Sequence, residues 1–213
     1  MHNFLKETQF LDFSHPLFDV FVEKIDATVS DKEKAIQLYY LVRDGFLYDP
    51  HHLDLRHHAL KGSTILTKKR AWCVEKGIVL AAAARKLGIP SKLGYAIVVN
   101  HIGSDRLEKY LLKKEIVFHG YVSLYVDEKW VKCTPAFDKN VCRINKVTPL
   151  EWDGVQDSMF QEFEGQNQFM EYIHFYGEFD DVPIELMNQE MEKHYPHLFK
   201  NRIETKEFSF YHL

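Results

Sequence analysis

Arg70-Ala71-Trp72-Cys73-Val74-Glu75-Lys76-Gly77-Ile78-Val79-Leu80-Ala81-Ala82-Ala83-Ala84-Arg85-Lys86-Leu87-Gly88-Ile89-Pro90 is the stretch that decides the fold. Val74 to Leu87 is rich in Ala, Leu, Ile, Val, Lys, Arg and Glu, a composition that favours helix. Gly88 can close that helix, and Pro90 cannot continue it. Cys73 therefore falls at or beside the helix N-terminus. There the unpaired N–H groups and the helix dipole favour negative charge. The position predicts a lowered thiol pKa and a reactive thiolate. The competing reading is a buried cysteine that packs as a small apolar residue.

Downstream, His119-Gly120 leads into Tyr121 to Val126, an alternating run of aromatic and β-branched residues that reads as a strand. Asp127-Glu128-Lys129 reads as a turn, and Trp130 to Thr134 as the partner strand of a hairpin. Pro135 ends the pairing because it has no N–H to donate. Asp138 follows in the next loop. Chain order thus supplies a thiol on a helix start, an imidazole at a strand start and a polar or acidic group past the next strand. Those are the three parts of a cysteine nucleophile, its base and a group that orients the base.

In these pieces the chain resembles the transglutaminase-like superfamily of papain-related thiol enzymes. The resemblance rests on Trp72 to Gly77, Ala81 to Pro90, the strand Lys92 to Asn100, His119 to Val126, and Trp130 to Asp138. It covers about residues 60–145. The Leu87-Gly88-Ile89-Pro90 exit is similar to that of bacterial members. The resemblance implies an α+β fold with a papain/transglutaminase-like core, in which the nucleophile helix packs on an antiparallel sheet. Helical N-terminal (1–59) and C-terminal (146–213) extensions would complete a single domain of 1–213. It implies Cys73 and His119 as two members of a catalytic triad. Where the family carries Trp, three residues, then Asp-Pro, this chain has Trp130, three residues, then Thr134-Pro135. Thr134 could fix the imidazole tautomer but could not stabilise an imidazolium as a carboxylate does. Asp138 is the nearest downstream acid, and the two share the third position. Arylamine N-acetyltransferases are a more distant likeness, through Arg70 to Glu75.

The implied activity is attack on an amide or other acyl group through a thioacyl intermediate. Water would then make the protein a protease or amidase, and an amine would make it an acyltransferase. The alternative is a catalytically silent binding module, motivated by Thr134. Trp72 and Asn100 are candidate substrate-binding residues, and Asn100 could also orient or hold an oxyanion. His101 competes with His119 as the base, and capping of a loop end is the plainer reading for both residues at 100–101. No cofactor or metal is required. The expected partner is a peptide, a protein or a small amide or acyl substrate, with the oligomeric state open.

Composition narrows the field further. Hydrophobic residues make up 46% of the 213 positions, enough for a substantial core. A formal charge of −4 argues against a nucleic-acid binder. Lys68-Lys69-Arg70 is the main basic cluster. It reads first as a solvated turn, with support of a Cys73 thiolate as its functional reading. The start Met1 to Glu7 has no signal-peptide pattern, and Ile78 to Ala84 is too short to span a bilayer. Three cysteines in so long a chain suggest no disulfide framework, and a cytoplasmic, reducing location is expected.

In the N-terminal part, Ser14-His15-Pro16 is a helix start, with Leu17, Phe18, Phe21, Val22 and Ile25 at helical spacing. Ser30 and Glu33 form a capping box for a second helix. His51, His52, His57 and His58 are grouped, but adjacent side chains point apart, so a polar loop is expected rather than a metal site. Lys61 to Thr64 continues as loop. Ile102 to Glu115 reads as a charged excursion with a short helix. The tail, Val147 to Leu213, with its aromatic-rich stretch Phe160 to Tyr176, is expected to wrap the core and to place some aromatics near the cleft. Glu178 to Pro183 reads as a turn, and Ile184 to Tyr195 as a helix stopped by Pro196.

Overall fold

A computed structural model describes residues 2–100, 105–159, 162–163, 167–168, 170–200 and 207–209. A short 3-10 turn, His2–Leu5, precedes helix α1 (Pro16–Val22) and helix α2 (Asp31–Gly45). Strands β1 (Leu47–Tyr48) and β2 (His52–Asp54), helix α3 (Gly62–Ile65) and strand β3 (Arg70–Ala71) follow. Then come α4 (Cys73–Lys86), β4 (Ser91–Asn100), α5 (Asp105–Leu111), β5 (Glu115–Val126), β6 (Lys129–Cys133) and α6 (Lys139–Ile144). The last part holds β7 (Glu162–Phe163), β8 (Asn167–Gln168), β9 (Met170–Phe179), α7 (Ile184–His194), α8 (Pro196–Phe199) and β10 (Glu207–Ser209).

The centre of the fold is α4 lying on a four-stranded antiparallel sheet of order β6-β5-β4-β9. Every α4 residue from Cys73 to Arg85 is buried. A helix buried along its whole length must be covered on all sides. The sheet covers one side, and α1, α2 and α3 pack on the others. Glycines set the approach. A Cβ on Gly77 would touch Val122 and Leu93, and one on Gly120 would lie 3.2 Å from both the Cys73 carbonyl oxygen and the Val74 Cα. The helix ends as expected: Gly88 takes φ +79°, Gly88 N–H donates to Arg85 O and Ile89 N–H to Ala84 O. That is a Schellman closure.

Local signals in the sequence are answered elsewhere too. Ser30 and Glu33 form the reciprocal capping box of α2. Asp127 and Glu128 both have positive φ, as a two-residue hairpin turn between β5 and β6 requires.

Four elements differ from expectation. β5 begins at Glu115, so His119 lies inside a strand rather than at its start. Its first residues were hard to read because Phe118 has φ +61° and the pairing with β4 slips between Ala96 and Val98. The C-terminal extension is not purely helical, for β9 joins the sheet beside β4. Two register shifts in that pairing break the alternation that marks a strand, and Ile173 and Phe175 are half exposed. Gly62–Ile65 is a helical turn rather than loop. The residues after Asp138 form α6, with Asp138 as its N-cap. Mixed helix and sheet therefore describes the molecule, with one buried cluster reaching from Phe10 to Phe208. No described helix is long and apolar enough to cross a membrane.

Candidate active site

Cys73 is the first residue of α4 and is 2% exposed. Pairing of β5 with β6 stops at Val122–Cys133, so at Gly120 β6 has already left. The backbone N–H groups of Gly120, Val74 and Cys73 itself favour the thiol's anion. Burial outweighs them: the thiol is pushed up to about 11, with Glu75 adding to the rise. This corrects the expected lowering. The helix end does supply favourable donors, but the low-dielectric surroundings disfavour charge more strongly.

His119 is 1% exposed, and burial pulls its pKa down to about 4. Gly120 faces α4, and His119, its neighbour in β5, leaves on the other face. There its ring meets Tyr172 edge-on at a centroid distance of 5.9 Å. Its Nδ1 is buried without a hydrogen-bond partner. β5 thus lays Gly120 against Cys73 and turns the His119 ring to the opposite face of the sheet, and no hydrogen bond joins thiol to ring. Both groups are neutral at pH 7.

Thr134 is buried just past β6, and its hydroxyl lies 3.3 Å from the Tyr172 hydroxyl. Thr134 and His119 are thus connected through Tyr172. A Cys73 thiolate would further raise the Tyr172 hydroxyl, which burial already pushes above its ordinary value. Asp138 is placed differently. One carboxylate oxygen accepts from Asn140 N–H at 2.8 Å and Val141 N–H at 3.3 Å, and the other from Tyr48 N–H at 2.6 Å. It makes no hydrogen bond to His119; it caps α6 and ties Tyr48, the last residue of β1, to that cap.

Trp72 is buried next to the thiol, and its Nε1 has no partner. Its backbone N–H donates to Glu75, which also pairs with Lys68. The Asn100 backbone pairs with Met170 in the sheet, but its side chain lies outside the described residues, as does His101. The grouped histidines are used locally: His57 meets Gln9, and His52 meets Glu207 at 3.5 Å. Among the described residues no cluster of three or more His, Cys, Asp or Glu is placed to hold a metal ion.

Cys73 borders a cavity of about 30 Å³ lined mainly by apolar groups, among them Tyr48, Trp72, Leu107, Leu111, Met191 and Tyr195. That is room for about one water. Its walls come from α5 and α7 as well as from the core. Tyr195 fixes the end of α7 there, accepting from Val117 N–H and donating to Glu115 O, both at 2.8 Å.

The sequence did not single out Gly120, Tyr172 or Tyr195. Gly120 carried a usable signal, a glycine directly after the candidate base inside an apolar strand, which marks close backbone approach. The two tyrosines stood among many aromatics and carried none.

A helix-borne cysteine on an antiparallel sheet, with histidine on the strand it touches, defines a cysteine-site α+β protein. The family model for the transglutaminase-like superfamily matches residues 20–135, more than half of the chain, and the protein belongs to that superfamily. No curated protein and no solved structure matches it.

Proposed function

We propose that the protein is a cysteine enzyme of acyl chemistry, with Cys73 as nucleophile and His119 as base. The observation that carries this reading is a thiol at the first residue of α4, packed closely against the strand that also carries a buried imidazole with an unpartnered nitrogen. Membership of the superfamily supports the same chemistry.

The neutral state of both groups sets the order of events. No thiolate–imidazolium pair stands ready, so the proton passes to His119 only as sulfur attacks the acyl carbon, a step that requires the ring to swing from its place against Tyr172 to within reach of the thiol. The S–C bond forms, the carbonyl oxygen becomes an oxyanion, and imidazolium returns the proton to the leaving amine as the C–N bond breaks. Peptide N–H groups at the helix start, with the Trp72 indole N–H, are the donors at hand for the oxyanion. One such donor is worth about 3 kcal/mol of barrier. Water or an amine then takes the acyl group from sulfur. A cavity of about 30 Å³ holds no acyl substrate, so entry requires the α5 and α7 wall to move. Thr134 acts through the Tyr172 hydroxyl, in place of the carboxylate usual in the family. Peptide, protein or small amide substrates fit this chemistry. Three free, buried cysteines support a reducing, cytoplasmic setting, and the helix exit a bacterial one.

Thr134 in place of the acid, and Asp138 committed to its cap, favour a second reading: a binding module that kept the fold. Intact-protein mass spectrometry after exposure to activated acyl esters separates the two. An acyl adduct on Cys73, lost in Cys73→Ala and slowed at least about 100-fold in His119→Ala, supports the enzyme. No adduct with any ester supports the silent module, and equal adducts in His119→Ala remove His119 as the base.

A further inference from the structure

A second cavity lies on the other side of the segment that carries the thiol. It is a cleft of about 350 Å³ lined by Asp49, His52, Lys68, Lys69, Arg70 and Glu75, with Ala71. That volume is at the lower end of small-ligand sites. The cleft and the thiol cavity share a wall: Asp49 and His52 face one, while Tyr48, Pro50 and Leu53 face the other.

The charges lining the cleft do not cancel locally. Glu75 is buried and already satisfied by Lys68 and the Trp72 N–H. Asp49 is buried, with an oxygen accepting from His51 N–H at 3.0 Å. The two carboxylates are therefore turned to partners in the wall. Lys69 and Arg70 are exposed and make no ion pair with any described carboxylate. Two consecutive cations stand at a concave site while the acids beside them are engaged. A guanidinium and an ammonium placed this way suit an oxyanion group, by fork and by point charge respectively.

We propose that this cleft binds a small organic anion carrying a carboxylate or phosphate group, held by Lys69 and Arg70. The site stands whether or not Cys73 reacts. Were Cys73 the nucleophile, the cleft would hold a non-reacting acidic end of the substrate, and such remote binding energy can serve the chemical step.

Calorimetric titration of the full chain at low ionic strength tests the site, with inorganic phosphate and succinate as probes. Saturable binding of either probe is expected, weakened about tenfold or more in both Lys69→Glu and Arg70→Glu and unchanged in Lys24→Glu, a surface lysine outside the cleft. Stronger phosphate binding assigns the phosphoryl class, and stronger succinate binding the carboxylate class. If a reversal unfolds the chain, Lys69→Gln and Arg70→Gln give the same reading with a smaller loss. Absence of saturable binding of both probes overturns the proposal, as does binding that survives the cleft substitutions or falls equally in Lys24→Glu.

Discussion

At Cys73, two physical effects compete and burial wins. The thiol stands where a helix start should favour its anion, yet its pKa lies near 11. Alkylation by iodoacetamide should therefore be slow at pH 7 and climb about tenfold per pH unit toward pH 10, because the thiolate is the reacting form. A fast, pH-independent rate below pH 7 would contradict this. His119 behaves as the complementary case. Its pKa is about 4 in the fold and 6.5 as an ordinary imidazole. Between those values the unfolded chain holds a proton that the native chain lacks, so stability falls as pH falls through the window. The full effect is about 3 kcal/mol. Urea unfolding of the wild type and His119→Gln at pH 7 and pH 4 should show their stability gap shifting by about that amount, against the wild type at the acid end.

At the scale of elements, the contact between α4 and β5 is set by a missing side chain. A Cβ at position 120 would press on the Cys73 and Val74 backbone at 3.2 Å. Gly120→Ala should cost about 1–3 kcal/mol, as overpacking does. It should also reduce acyl-adduct formation, since the N–H at 120 moves with the strand. A lower urea midpoint alone would mark a purely structural role. Legibility of the elements follows their local signals. The α4 helix declared itself through Ala-rich composition, Gly88 and Pro90, and α2 through Ser30 and Glu33. The hairpin was readable from Asp127-Glu128 between alternating runs. β9 was not, because its register slips twice against β4 and places Ile173 and Phe175 half in solvent. Residue types at the site were readable as well, whereas their environment was not. The apolar wall that raises Cys73 comes from Leu107, Leu111, Met191 and Tyr195, which no local pattern connects to position 73. Asp138 misled for a similar reason: a lone acid after Pro135 looked available, while six residues of helix behind it needed a cap.

Across the whole molecule, Arg85 ties distant segments together at the far end of α4. Its guanidinium donates to Lys6 O, Ser91 O and Asp180 O at 2.6–2.9 Å, with Nε donating to Ser91 Oγ. Arg85→Met should cost about 3 kcal/mol or more, since three carbonyls lose a charged donor in buried or half-buried surroundings. Thermal unfolding reads this directly, and an unchanged midpoint would remove Arg85 from the framework. Such ties make the N-terminal segment, the central helix and the C-terminal strand interdependent. The order β6-β5-β4-β9 also has a bearing on synthesis. While the chain leaves the ribosome, β4 gains its neighbour β5 early but waits for residues 170–179 to shield its other side. A fragment cut at residue 135, where the family match stops, would keep that bare strand margin permanently and should self-associate more than the longer chain does.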